Sequence, residues 1–280
     1  MIDLHIHSTA SDGSDSPVAV AELAALAGCH AFALTDHDCL DGVVAARERA
    51  TELGVAFVAG CELSCRARAG AVHLLAYWVD PGEGELEATL TALRRGRDER
   101  NRLMVEHLAG LGLPITLAEV EERSGGGATG RPHMAAILVE RGVVGSVQEA
   151  FDAWLGRGRP GHVDYPMARL SPAQALGLVA RSGAVAVLAH PLSLGLEGEA
   201  LGSAVAELAG LGLSGLEAVY GRYSPAQRAS LSDLARTHGL VATGGSDHHG
   251  AYKPDLSIGV GRGDLAVPDA VLDELAARRA

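Results

Sequence analysis

The sequence predicts an α/β protein, a parallel barrel of about seven strands with a helical insertion, and two observations carry that reading. Short apolar runs alternate with longer helical patterns through most of the chain, as repeated strand–helix units do. One span, residues 92 to 168, breaks the rhythm and offers no convincing strand. At 280 residues the chain is long for one domain, but α/β barrels reach this size as single units.

The elements follow in order. "IDLHI" is the first strand, and "SPVAVAELAALAGC" is a helix with Ser16 as N-cap and Pro17 in its first turn. "AFALTDHD" runs from strand into loop, and "DGVVAARERATELG" is a helix ended by Gly54. "VAFVAGCELSC" and "AVHLLAYWVD" are two further strands. Beyond the insertion come "PAQALGLVARSG" (helix), "AVAVLAHP" (strand), "EALGSAVAELAGLG" (helix) and "LSGLEAVY" (strand). The series closes with the helix "SPAQRASLSDLARTHG", the strand and loop "LVATGGSDHHG", and the helix "VPDAVLDELAARRA". The barrel is therefore expected over 1–91 and 169–280, with 92–168 a helical domain capping the substrate. Within it "RRGRDERNRLMVEHLAGLG" is an amphipathic helix, and two more helices flank a glycine-rich turn. Its Arg94, Arg95, Arg97, Arg100, Arg102, Arg131, Arg157 and Arg159 stand out against an acidic chain.

Apolar residues make up 48% of the sequence, enough to bury a sizeable core. A formal charge of −12 argues against gripping long nucleic acid by neutralising many phosphates. Small anionic substrates stay open, provided cations or metal ions reverse the field locally. There is no basic segment leading into an apolar run, and no apolar stretch of the roughly 20 residues that span a bilayer. A soluble, cytoplasmic protein with no membrane partner is expected. Cys29, Cys39, Cys61 and Cys65 are too few for a disulfide framework and lack the spacing of a structural zinc site, so packed, reduced thiols are expected.

The histidines point to chemistry. Side chains alternate faces along a strand, so His5 and His7 face the same way, opposite Leu4 and Ile6. An unneutralised imidazole pair suits a core poorly and a metal ion well. Polar residues then recur at or after the ends of other strands: His37, Glu62, His73, His190, Asp247 and His249. Barrel enzymes place their chemistry at that end of the strands. There is no nucleophile elbow, and "GGGATG" lacks the lysine a phosphate loop requires.

The ordered set of HxH, "TDHD", "GCELS", a histidine about eleven residues on, "AHP" and "GSDxH" resembles the PHP (polymerase and histidinol phosphatase) family along nearly the whole chain. The resemblance implies a distorted (β/α)7 barrel holding two or three divalent ions, Mn2+ expected and Fe2+ or Zn2+ as alternatives. It implies that His5, His7, Glu62 and Asp247 hold one ion. Glu62 would bridge to a second with His73 and His190, and Asp12, His37 and His249 would hold a third. His248 is passed over by the motif, and His30, His107 and His238 are read as surface or packing residues.

"GRPH" within the insertion, with "GSDHHG" and "KP" downstream, is similar to the nucleotide phosphoesterase branch that includes 3′,5′-nucleotide bisphosphate phosphatases and 5′–3′ exoribonucleases. Arg131 and His133 stand at a helix start, where free N–H groups favour an anion. Arg222 and Lys253 are further candidates to meet a substrate phosphate. The expected activity is hydrolysis of a small nucleotide's phosphate monoester, the 3′-phosphate of a nucleoside 3′,5′-bisphosphate first, by a metal-bridging hydroxide. The alternatives are cleavage of short RNA, histidinol-phosphate hydrolysis, and a non-catalytic PHP module.

Overall fold

The computed structural model describes residues 1–67, 70–82, 84–113, 115–124, 129–165 and 169–279. Seven strands form one sheet in sequence order: β1 (Ile2–Asp3), β2 (Ala31–Leu34), β3 (Ala56–Ala67), β4 (Gly70–Tyr77), β5 (Val185–Leu188), β6 (Gly215–Tyr220) and β7 (Val241–Gly245). The sheet closes on itself. Leu4 N–H donates to Gly244 O, Asp247 N–H to His5 O and His7 N–H to His248 O, which joins β1 and its extension to β7.

The barrel is not parallel throughout. β4 runs antiparallel to both β3 and β5, whereas the other neighbouring pairs are parallel. A parallel crossover needs a dozen or more residues, and the two residues between β3 and β4 allow only a hairpin. His73 consequently lies in the first half of its strand, not at the carboxyl end, and still reaches the same mouth of the barrel.

The first strand is shorter than "IDLHI" suggests. Past Asp3 the chain exchanges partners: Thr35 N–H donates to Ile6 O, and Ile6 N–H donates to Thr35 Oγ1. Leu4 and Ile6, expected on one face, therefore enter different apolar clusters. Leu4 joins Ala33, Val58, Leu75, Tyr77 and Val187, while Ile6 packs with Val20, Phe32 and Leu34.

Helices α1 (Pro17–Leu26) and α2 (Val43–Leu53) follow β1 and β2. Ser16 caps α1 by accepting from Ala19 N–H, and Gly54 ends α2 in the left-handed region. The span that lacked strands holds α3 (Glu85–Gly110), α4 (Leu117–Arg123), α5 (Arg131–Glu140) and α6 (Val147–Ala150), the last running into a turn of π-helix at Phe151–Leu155. The glycine-rich turn falls largely at 125–128, outside the described residues. α3 passes unbroken through position 92, because its two halves serve different cores. Leu86 and Leu90 pack on the barrel, whereas Met104, Val105 and Leu108 join a separate cluster with Val120, Met134, Leu138 and Leu155.

Return to the barrel comes through α7 (Pro172–Arg181), α8 (Gly198–Gly210) after β5, α9 (Pro225–Thr237) after β6, and α10 (Ala270–Ala276). All four cysteines are free and buried. No helix among the described residues is long and apolar enough to cross a membrane.

Candidate metal centre

Strand alternation divides the barrel lining into two levels. On β4, His73, Leu75 and Tyr77 share a face, and on β3 so do Val58 and Glu62. Leu75, Tyr77 and Val58 enter the apolar cluster; His73 and Glu62 stand beyond it. There they meet His5, His7, Asp12, His37, His190, Asp247 and His249, so all nine side chains singled out as metal ligands converge.

Their donor atoms sit at ligand spacing. His5 Nε2 lies 3.1 Å from His7 Nε2, Glu62 Oε2 lies 3.3 and 3.1 Å from these two nitrogens, and Asp247 Oδ1 lies 3.6 and 3.4 Å from them. Donors about 2.0–2.2 Å from one ion stand about 2.8–3.6 Å from each other in tetrahedral or octahedral arrangements. Glu62 turns its other oxygen, Oε1, to His73 Nδ1 at 2.8 Å and His190 Nε2 at 2.9 Å. Asp12 faces His249 Nε2 at 3.4 Å, His37 Nε2 at 3.8 Å and His7 Nδ1 at 3.6 Å.

Two observations fit a metal better than a hydrogen-bonded polar core. His7 Nδ1 and His37 Nδ1 are buried without a hydrogen-bond partner, although buried polar atoms are nearly always bonded. The cluster also draws its neutrality from protons. Burial disfavours the charged form of His5, yet Glu217, Glu62 and Asp247 overcome it and hold the imidazole well above its ordinary range. Burial opposes His7 in the same way, but Asp247, Glu62 and Asp12 raise it to about 9. Burial would push up Asp12, Glu62 and Asp247; the facing imidazoles, joined by Lys253 at Asp247, keep all three well below the carboxylate range. His37 and His249 are pushed down by burial, to about 3 and about 4. Divalent cations replace such protons and use the neutral imidazole lone pairs.

Second contacts aim these ligands. Glu217, buried on β6, accepts from His5 Nδ1 at 2.8 Å and from the backbone N–H of His190 at 2.6 Å. Tyr220 Oη at 2.7 Å and Lys253 Nζ at 2.5 Å both donate to Asp247 Oδ2, leaving Oδ1 for the imidazoles. Asp36 accepts from Ser8 N–H, Ser8 Oγ and Ser11 Oγ, which pins the turn carrying Asp12. His190 (φ 25°) and Asp247 (φ 57°) adopt left-handed backbone, a strain that accumulates where surrounding structure demands a particular side-chain direction. Gly245 allows the seam between β7 and β1: a Cβ there would lie 2.4 Å from His5 Cβ.

The residues expected to meet substrate are placed differently from one another. Arg131 begins α5 and reaches a cavity of about 140 Å³ walled also by Asp12, His37, His73, Arg97, Arg100 and Arg169. His133 is buried and its Nδ1 accepts from Gly130 N–H at 2.9 Å, so one ring nitrogen closes the helix start. Arg222 forms a two-point ion pair with Asp255 at the edge of a larger cavity of about 640 Å³. Lys253 lines that cavity while holding Asp247. His248 points away from the cluster, to Leu256 O and Asp15. Glu217, Tyr220 and Arg169 carry no motif that singles them out in the sequence, and Asp36 lies in "TDHD" without being read as a site residue; for Glu217 the available signal is a lone acid inside the apolar strand "SGLEAVY".

Residues 3–111 match the PHP domain. The 3′,5′-nucleoside bisphosphate phosphatase of Chromobacterium violaceum is 32% identical over 259 residues, 92% of this chain and 90% of its own length. The chain belongs to the PHP family. The 5′–3′ exoribonuclease Rnm of Escherichia coli is 33% identical over 249 residues, 88% of this PHP chain and 84% of its own. A crystal structure from Bifidobacterium adolescentis, provisionally named a metal-dependent phosphoesterase, superposes with a TM-score of 0.87 at 30% identity, covering 100% of this chain and 96% of that one. This PHP protein is a metal-dependent phosphoesterase, a hydrolase of phosphoric esters.

Proposed function

We propose that this PHP enzyme removes a phosphate monoester from a small nucleotide, the 3′-phosphate of a nucleoside 3′,5′-bisphosphate. The observation that carries the reading is the contact between the imidazole–carboxylate cluster and the cavity walled by Arg97, Arg100, Arg131 and Arg169. Guanidinium groups bind phosphoryl oxygens in bidentate fashion. The larger cavity, which shares Asp12, His37, Pro132 and Phe151 with the first and adds Tyr252, has the size and apolar character of a nucleoside site. The similarity to the bisphosphate phosphatase of C. violaceum supports the same substrate class.

In this reading two or three divalent ions bind, Mn2+ first among Mn2+, Fe2+ and Zn2+. His5, His7, Glu62 and Asp247 would hold one, Glu62 with His73 and His190 a second, and Asp12, His37 and His249 a third. Bound divalent ions supply Lewis acidity to phosphoryl oxygens and acidify a coordinated water. The chain's own groups do the rest. Glu217 keeps a proton on His5 Nδ1 and so presents Nε2 as a lone pair. Tyr220 and Lys253 hold Asp247 in register. Arg131 and Arg100 meet the anionic oxygens of the ester. Residues 92–168 act as a cap that carries these arginines to the barrel mouth.

Cleavage of short RNA from its 5′ end is a second reading. It is favoured by further arginines beyond the inner cavity and by the similarity to Rnm.

The test is a substrate panel on Mn2+-loaded protein: adenosine 3′,5′-bisphosphate, adenosine monophosphates, 5′-phosphorylated oligoribonucleotides and histidinol phosphate. The bisphosphate is expected to give the highest kcat/KM, with activity abolished by chelation and by His5→Ala. Preferred hydrolysis of histidinol phosphate would overturn the nucleotide reading.

A further inference from the structure

The run "SDHH" offers two adjacent imidazoles, and the metal cluster takes the second, His249. His248 turns the other way and joins two loops. Its Nδ1 donates to Leu256 O at 2.7 Å, and its Nε2 pairs with Asp15 Oδ2 at 2.9 Å. Leu256 lies on the same loop after β7 as His248, whereas Asp15 lies on the loop between β1 and α1, three residues beyond Asp12. The histidine is buried, and with a carboxylate as acceptor its second bond is of the stronger, charge-assisted kind.

The pair lies in a seam between these two loops. Ser14 N–H donates to His249 O at 3.2 Å, and Ala251 N–H donates to Ser14 Oγ at 2.8 Å. The approach is close enough to require glycine at position 250: its φ is 61°, and a Cβ there would overlap Ser14 Oγ and Asp15 Oδ2. What the seam brings together is Asp12 and His249. Glu62 and His73 are fixed by the ladder between β3 and β4. Asp12 and His249 stand on loops, so the 3.4 Å between Asp12 Oδ1 and His249 Nε2 depends on how those loops meet. His249 Nδ1 donates to Asp247 O at 2.9 Å, which leaves Nε2 as the lone pair facing Asp12. Asp12, His37 and His249 also wall the larger cavity, so the third ligand set is the one that a molecule in that cavity meets.

We propose that His248 and Asp15 form a positioning pair for the third ion: their contact holds the Asp12 loop against the His249 loop and so fixes the span across which that ion binds. The proposal rests on the three-ion reading above and deepens it, because it separates the residues that set the affinity of the cavity-facing ion from those that set the other two. Neither side chain is a ligand itself. Without the contact the two loops part, while His5, His7, Glu62, His73 and His190 stay where the barrel holds them.

The test titrates Mn2+ into the full, previously chelated chain and counts bound ions by electron paramagnetic resonance, in which unbound Mn2+ gives a separate signal. Asp12→Ala removes the third set's carboxylate and so marks the step that belongs to that ion. His248→Phe keeps a ring of similar size without the donors, and Asp15→Ala breaks the pair from its half-buried side; each is checked for wild-type thermal unfolding. Both are expected to weaken the marked step about 10- to 100-fold and to leave the other two affinities unchanged. Asp15→Asn retains an acceptor oxygen and is expected to keep most of the binding. In the His248→Phe background Asp15→Ala is expected to add little, since both remove the same contact. An unchanged third affinity in both single variants, or an equal loss on all three ions, would overturn the positioning pair while leaving the three-ion reading in place. A wild type that binds two ions would overturn the third site and the pair together, and hydrolysis of adenosine 3′,5′-bisphosphate by that two-ion protein would show that the phosphoesterase reading survives them.

Discussion

Glu217→Gln isolates the orientation of a single metal ligand. The wild-type carboxylate accepts two buried N–H groups, from His5 Nδ1 at 2.8 Å and from His190 backbone at 2.6 Å. A glutamine of the same shape has one acceptor. The backbone N–H of His190 cannot change character, so the amide oxygen stays there and the NH2 faces His5. The imidazole answers by moving its proton to Nε2, because Nδ1 must now accept. Nε2 is the atom 3.1 Å from His7 Nε2 and 3.3 Å from Glu62 Oε2. Protonated, it has no lone pair for an ion. Loss of such an outer contact costs about 10- to 100-fold in metal affinity, or about 1.4–2.7 kcal/mol. In the metal-free chain the exchange also removes a counter-charge of the His5 imidazolium, so a moderate fall in Tm at neutral pH is expected with the fold kept. Competition of wild type and Glu217→Gln against a fluorescent chelator for Mn2+ measures the effect. Wild-type affinity in a folded variant would show that Glu217 does not set the His5 tautomer. A collapse of the metal-free Tm would show that its role is packing.

Three other perturbations follow from the geometry. Gly245→Ala puts a Cβ 2.4 Å from His5 Cβ and 2.5 Å from His5 N, so β7 and β1 must separate; a stability loss of about 1–3 kcal/mol is expected by calorimetry, together with weakened metal binding. Arg97→Ala leaves the buried Asp38 carboxylate, which also accepts from Ser64 N–H at 2.8 Å, without its counter-ion. Urea titration should show about 3–5 kcal/mol of destabilisation, and an unchanged midpoint would contradict the pairing. In the metal-free chain His7 is raised from 6.5 to about 9, so the stability it contributes is complete below 6.5 and lost as pH climbs through 9, up to about 3 kcal/mol. For the same reason Mn2+ loading near neutral pH should release at least one proton, read by calorimetry in buffers of different ionisation enthalpy; no release would place His7 in its neutral form beforehand.

Much of the site is legible in the amino-acid sequence because its signals are local. Period-two alternation puts His5 and His7 on one face whatever the rest of the chain does. The helix start at Ser16 and the stop at Gly54 obey capping rules that act over three or four residues. The reversal of β4 is open to the same arithmetic, since no crossover fits between β3 and β4, yet a repeating strand–helix rhythm favours a parallel reading. Glu217 escapes notice because a single acid in a strand is as well explained by an ion pair. Only contact with His5, 212 positions away, distinguishes the two.

By itself the sequence determined which chemistry is available: six imidazoles and three carboxylates in or after the strands, and an acidic chain with arginines concentrated in one span. Only the tertiary structure decided how that chemistry is partitioned. Glu62 turns Oε2 to one imidazole set and Oε1 to another. Arg97 is neutralised by Asp38, whereas Arg100 three residues later, on the same helix, is left facing a cavity. The physical reason is that pairing depends on which surfaces meet when β1 closes on β7 and α3 crosses from one core to another. These contacts join residues far apart in the chain, where no local periodicity specifies a partner.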